Sequence, residues 1–164
     1  RHKVLYASDN IEVIEIGVPA EHVTTIDHNM ELPTKEFNPE REFKGQKFVH
    51  NKADNSTWSD FRIPGFKCRD TTIADNTKNV AGVQVVRPNG STTKPSKHDC
   101  DILFNFVMEG KMTLKANGQP SNELTSGDAF VIPPNLSTEY SNLSTDLELL
   151  EVSLPGKFKT YYDA

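Results

Sequence analysis

The chain has 164 residues, 35% of them apolar, enough for one domain with its own core. The net charge is −5 with acids and bases interspersed, so no basic stripe points to nucleic acid. No apolar run approaches the roughly 18 residues of a membrane helix, and residues 1–8 lack the apolar centre of a secretory leader, so a cytoplasmic protein is expected. Ile11-Glu12-Val13-Ile14-Glu15-Ile16 partly alternates and predicts a strand that stops at Gly17-Val18-Pro19. Residues 20–27, entered through Pro19, predict at most a turn or two of helix. Residues 31–46 hold Pro33, Pro39 and Gly45 among charges and read as an irregular arm. Phe48-Val49-His50 predicts a short strand. Stronger strand signals cover 66–73 and 80–87, with a polar turn between them and a loop over 88–95. Strands are predicted again at 102–108, 111–116, 122–124, 129–132, 138–141 and 147–153. The tail from Pro155 carries Phe158, Tyr161 and Tyr162, which predicts packing on the barrel or on a second subunit.

Many short strands with Gly and Pro at their turns predict an all-β antiparallel sandwich or closed barrel. Cys68 and Cys100 are far apart and lack a CxxC spacing, so they read as two reduced thiols.

Gly127, Pro133-Pro134-Asn135, Thr138 and Asn142 follow the order glycine, P-x-G, histidine position, asparagine. Upstream, Gly110 ends a second motif, in which Leu103 falls on a glutamate position and Ser96-Lys97-His98 on an H-x-H. These spacings resemble the two motifs of the cupin family. Trp58, Ile63-Pro64-Gly65-Phe66, His98-Asp99-Cys100-Asp101 and the segment from Leu147 to Phe158 are also similar to bacterial cupins of unassigned role. The resemblance implies a single antiparallel jelly-roll barrel (a double-stranded β-helix) over residues 58–164. It further implies an N-terminal arm, residues 1–57, able to exchange between the subunits of a homodimer. In the family, three histidines and a glutamate at these positions hold a divalent metal. Only His98 of the four is retained here. The resemblance therefore implies a barrel without a tightly bound catalytic metal. The alternative is iron, nickel or zinc on His98 with Asp99 or Asp101, or with His50 or His28 reaching in from the arm.

Within that frame the candidate ligand-binding residues are Ser96, His98, Asn105, Thr138 and Tyr140. His98 is the candidate catalytic group, an imidazole able to move a proton near neutral pH. Asn105 follows Leu103 at period two and shares its inward side, so its amide needs a partner, internal or ligand. Thr138 and Tyr140 share a side by the same rule. A lining of Leu103, Phe104 or Phe106, Val107 and Ile132 is expected around them. Asp99 and Asp101 read first as turn residues, Arg69 and Arg87 as outward charges, and His22 with His28 as surface groups.

The expected function is binding of a small organic molecule in the barrel, as sensor, carrier or metal-free isomerase or lyase. The alternatives are a metal-dependent cupin enzyme of dioxygenase, isomerase or lyase type, and an assembly domain with a vestigial pocket. No nucleic-acid or membrane partner is expected.

Overall fold

The alternation in the sequence becomes thirteen strands among the described residues, which are 3–29, 31, 35–90 and 94–163. The computed structural model divides the chain into two units, Arg1–Pro39 and Glu40–Ala164. In the first unit the described residues form turns and extended chain without strand pairing. The strand expected at residues 11–16 is not formed, and Ile11, Val13, Ile14 and Ile16 are exposed. Alternation gives a strand only when an edge is there to pair with. The helical turn expected over 20–27 is likewise absent. No helix among the described residues is long and apolar enough to cross a membrane.

The second unit opens with a hairpin, β1 (Glu42–Phe43) against β2 (Gln46–Lys47). Lys44 and Gly45 turn it, both at positive φ as a two-residue turn of this hand requires. Phe48-Val49-His50 stays outside any strand, with Phe48 exposed. The barrel itself is two antiparallel sheets. The first runs β10 (Ala129–Ile132), β7 (Ile102–Glu109), β12 (Glu148–Leu154), β5 (Gly82–Pro88), β4 (Phe66–Asp70) and β3 (Ser59–Asp60). The second runs β13 (Thr160–Tyr162), β6 (Ser96–His98), β11 (Thr138–Ser141), β8 (Lys111–Ala116) and β9 (Asn122–Thr125). A single helical turn, α1 (Ile73–Asn76), joins β4 to β5. The architecture is the all-β jelly roll that the motif spacings imply.

The two sheets bury one apolar core. Phe66, Cys68, Val86, Leu103, Val107, Ile132 and Leu149 come from the first, and Met112, Leu114 and Tyr140 from the second. Each such large side chain taken from water stabilises the fold by about 1.5–3 kcal/mol. Phe66 and Phe130 set their rings edge-on to Tyr140 at centroid distances of 5.8 and 6.1 Å. The inward lining differs from expectation at two residues. Leu103, Asn105 and Val107 are buried in alternate places along β7, so Phe104 and Phe106 lie on its other face, only partly covered.

Register exposes a feature of the inner face. Asp70 pairs with Gln84, Gln84 with Glu151, Glu151 with Asn105, and Asn105 with Phe130. A polar row therefore crosses the first sheet, between an apolar row (Val86, Leu149, Val107) and the row Gly82, Ser153, Leu103, Ile132. That last row lies towards the end of the barrel that the tail covers. There Thr160, Tyr161 and Tyr162 pair with His98, Lys97 and Ser96, and Phe158 packs on the core.

Candidate functional site

Four residues stand at the positions where the motif spacing implies metal ligands: Ser96, His98, Leu103 and Thr138. They come from β6, β7 and β11, and all four border one small cavity at the tail-covered end of the barrel. Arg62, Ile63, Ile132 and Tyr140 complete most of its wall. Ser96 faces Thr138 directly in the β6–β11 register, and Thr138 Oγ1 donates a long 3.5 Å hydrogen bond to the Ser96 carbonyl. The cavity measures about 10 Å³, room for the centre of a single water.

His98 is 2% exposed and both of its ring nitrogens are engaged. Nε2 lies 3.1 Å from the Ile132 carbonyl, which only accepts, so Nε2 carries the proton. Nδ1 is then the acceptor for the Cys100 thiol at 2.9 Å. The Phe158 ring meets the imidazole edge-on at 5.9 Å. Burial holds the imidazole below the usual histidine range, and the Arg62 charge pushes the same way. Burial also drives the Cys100 thiol up to about 11. The pair is therefore neutral, a thiol donating to an imidazole, with no thiolate and no imidazolium. His98 borders the cavity, and its ring nitrogens are spent on neighbours, bracing β6 against β10.

Arg62 is the principal feature that sequence patterning missed. It precedes β4 just ahead of the Ile63-Pro64-Gly65 turn. Its Nε and Nη2 donate to the two carboxylate oxygens of Glu151, at 3.2 and 2.5 Å, and Nη1 donates to Thr160 Oγ1 at 3.3 Å. The Phe61 and Phe158 rings lie 4.9 and 5.0 Å from the guanidinium carbon. The side chains are 19% and 4% exposed, so this is a largely desolvated ion pair. Burial opposes the guanidinium charge, but Glu151 more than offsets it and holds Arg62 above its ordinary value. Tyr140, wholly buried nearby, is pushed well above the usual phenol range by burial and by the Glu151 charge. One signal for this pair was readable. Glu151 shares the inward parity of Leu149 and sits between Leu150 and Val152, and an acid placed so needs a cation.

Asn105 is 1% exposed, and neither its amide nitrogen nor its amide oxygen has a hydrogen-bond partner among the described residues. It sits in the polar row directly beside Glu151.

The neighbouring acids do not turn inward. Asp99 is exposed and holds the tail: Lys159 N–H and Tyr161 OH donate to its two oxygens at 2.8 and 3.1 Å. The Lys159 amide, then Tyr161, keep its carboxyl below the usual range. Asp101 is exposed at the start of β7, and His50 is exposed too. Arg87 lies outside the barrel over the Trp58 ring, 3.9 Å from its centroid. Tyr162 OH donates to the Arg62 carbonyl and Ser137 to Asp163, which ties the tail down on two further sides.

Residues 82–153 match the family model of the cupin domain. Over these residues the chain is similar to the cupin domain, and its jelly-roll fold agrees with that likeness. No curated protein is matched by the sequence. Among solved structures, the polyketide cyclase RemF from Streptomyces resistomycificus superposes with a TM-score of 0.59 at 17% identity, over 71% of this chain and 86% of that one. An RmlC-like cupin from Shewanella frigidimarina gives 0.53 at 16%, over 68% and 94%. The Streptomyces nucleoside dehydratase Pac13 gives 0.54 at 13%, over 71% and 95%. At these identities the likeness is one of fold.

The cupin fold implies a divalent metal, and the residues at the four positions do not suit one. A transition ion wants three or four N, O or S donors at about 2.0–2.2 Å. Leu103 has no donor atom, Ser96 and Thr138 offer neutral hydroxyls, and both His98 nitrogens are taken.

Proposed function

We propose that this cupin-like domain binds a small organic molecule at the tail-covered end of its barrel, without a tightly bound catalytic metal. The observation that carries this is Asn105: a buried amide with donor and acceptor both unmatched, where an unmet polar group costs about 1–3 kcal/mol. Asn105 does not border the small cavity itself but lies two residues along β7 from Leu103, which does; its cost is tolerated where a guest extends to it. Ser96, Thr138, Tyr140 and Arg62 are the polar groups bordering the space one step nearer the barrel end, and Ile63, Leu103 and Ile132 its apolar wall. His98 serves as a positioning residue rather than a proton carrier, since moving its proton breaks a buried hydrogen bond. The ligand-handling neighbours, a polyketide cyclase and a nucleoside dehydratase, support a small-molecule role for such a barrel. Exposed Ile11, Val13, Ile14 and Ile16 in the arm support a homodimer, and two buried free thiols support a reducing, cytoplasmic setting.

One observation favours a second reading. The space left at the barrel end holds little more than a water, as a vestigial pocket in an assembly domain would. The test is to denature freshly purified protein and analyse what is released, by mass spectrometry for organic molecules and by elemental analysis for metals. The proposal expects an organic molecule in near-stoichiometric amount, lost from Asn105→Leu, and metals far below stoichiometry. Release of nothing from protein that retains its fold favours the assembly domain. Stoichiometric iron, nickel or zinc overturns the metal-free reading.

A further inference from the structure

The charge arrangement at the cavity names the chemistry of its guest, an inference that rests on the binding reading above. Arg62 has five N–H donors. Three are committed, Nε and one on Nη2 to Glu151 and one on Nη1 to Thr160. One N–H on each terminal nitrogen is left without an acceptor among the described residues. Charged N–H donors of this kind are what a carboxylate oxygen takes.

The balancing acid stands behind the guanidinium rather than in the cavity. Glu151 borders a separate space of about 70 Å³, together with Asp70, Gln84, Ser153 and Phe158, and does not border the Arg62 cavity. The titratable residues that do border it are Arg62, Lys97, His98 and Tyr140, none of them an acid. In a chain of net charge −5 this is a place where an anion meets no facing carboxylate. Ser96 and Thr138 add hydroxyls able to donate, and Ile63, Leu103 and Ile132 supply the wall a hydrocarbon portion needs. With Glu151 already offsetting one charge, the site suits a singly charged group rather than a phosphate dianion.

We propose that Arg62, with the Ser96 and Thr138 hydroxyls, takes the carboxylate of a small organic acid, so that a guanidinium stands in place of the metal ion that the cupin motif positions imply. Formate is the probe, because the space holds little more than a water as it stands. Formamide is its neutral counterpart. Both are titrated into the intact protein at constant ionic strength. The readouts are the melting temperature and the Arg62 Nε–H cross-peak in a nitrogen–proton spectrum.

Formate is expected to raise the melting temperature and shift the cross-peak saturably, and formamide to do neither. Arg62→Met with Glu151→Leu removes both charges together and spares the fold a lone buried carboxylate. In that double variant the formate response should weaken by at least about tenfold. Thr138→Val, which keeps the shape of the core, should weaken it severalfold. No response in the wild type, an equal response to formamide, or a full response in the double variant each overturns the assignment. The two readings fail separately. A released uncharged molecule with no formate response removes the carboxylate assignment and leaves binding intact. A formate response with nothing released supports the anion site and counts against a retained organic guest.

Discussion

Breaking the Arg62–Glu151 pair from one side should cost far more than replacing it whole. The carboxylate is 4% exposed and bonded by two guanidinium N–H groups, and the guanidinium itself is 19% exposed. Arg62→Met leaves a buried carboxylate with no cation, and Glu151→Leu leaves a buried cation with no carboxylate. Either loss is expected to destabilise by about 3–5 kcal/mol. In a chain of this size each kcal/mol moves the melting temperature by roughly 2–4 °C, so each single variant should melt roughly 6–20 °C lower. Contacts of Arg62 with the Phe61 and Phe158 rings contribute only about 0.5–1 kcal/mol each, and methionine keeps much of that packing. The double variant exchanges the pair for apolar side chains of similar length and should lie within about 2 kcal/mol of wild type. A double-mutant cycle in urea, with m unchanged across the four proteins, measures the coupling directly. The expected coupling is about 3 kcal/mol or more. Single variants that each cost under about 1 kcal/mol and simply add would refute the reading of a desolvated, mutually dependent pair.

Asn105→Leu replaces two unmatched amide atoms by an apolar side chain of similar size. It should leave stability unchanged or raise it by about 1–2 kcal/mol in urea unfolding while abolishing release of a bound molecule; a clear loss of stability would show that the amide has a structural partner. The His98 imidazole is depressed below its unfolded value of about 6.5, so below that pH the unfolded chain binds the extra proton first. Its contribution is therefore present above about pH 6.5 and declines as pH falls. The stability difference between wild type and His98→Gln, measured between pH 5 and 8, should shrink on acidification, and a difference that stays flat or grows contradicts the burial argument. Gly110 turns β7 into β8 at φ +77°, and a Cβ there would meet Ser144 Oγ at 2.5 Å and the Leu147 backbone at 2.7 Å. Gly118 has a similar φ of +75° with open space around it. Gly118→Ala should cost about 1–2 kcal/mol for its backbone alone and Gly110→Ala clearly more, read from their urea midpoints. Equal costs would mean that the Ser144–Leu147 turn yields freely.

The fold was legible where a strand is long and half-buried. Along β7 the buried Leu103, Asn105 and Val107 alternate with the half-covered Phe104 and Phe106. Two-residue periodicity carries that pattern, although the choice of which phenylalanines line the interior needs the parity of the neighbouring motif positions. Five strands were missed, β1, β2, β3, β6 and β13, the first two within or at the end of the segment read as an irregular arm. They are two or three residues long, too short to show a period, and β6 reads Ser-Lys-His; β6 and β13 are brought together from distant parts of the chain, Thr160 on His98. Ile11 to Ile16 erred the other way, with local strand propensity and no edge to use it. Around the candidate site, Ser96, His98, Leu103 and Thr138, placed by motif spacing, and Tyr140, placed by period two, border one cavity, while Asn105 does not. Arg62 and Glu151 escaped because their relation spans 89 positions and is made by two elements meeting across the barrel. The engagement of His98 by Cys100 spans only two positions. It escaped because a side chain's hydrogen bonds depend on rotamers that spacing does not fix.

X-ray density at the barrel end, recorded with anomalous scattering from protein never exposed to chelator, tests the central claim most directly. The account predicts no anomalous peak among Ser96, His98, Leu103 and Thr138, and non-protein density within hydrogen-bond reach of Asn105 or the Arg62 guanidinium. An anomalous peak ligated there by three or more side chains contradicts it.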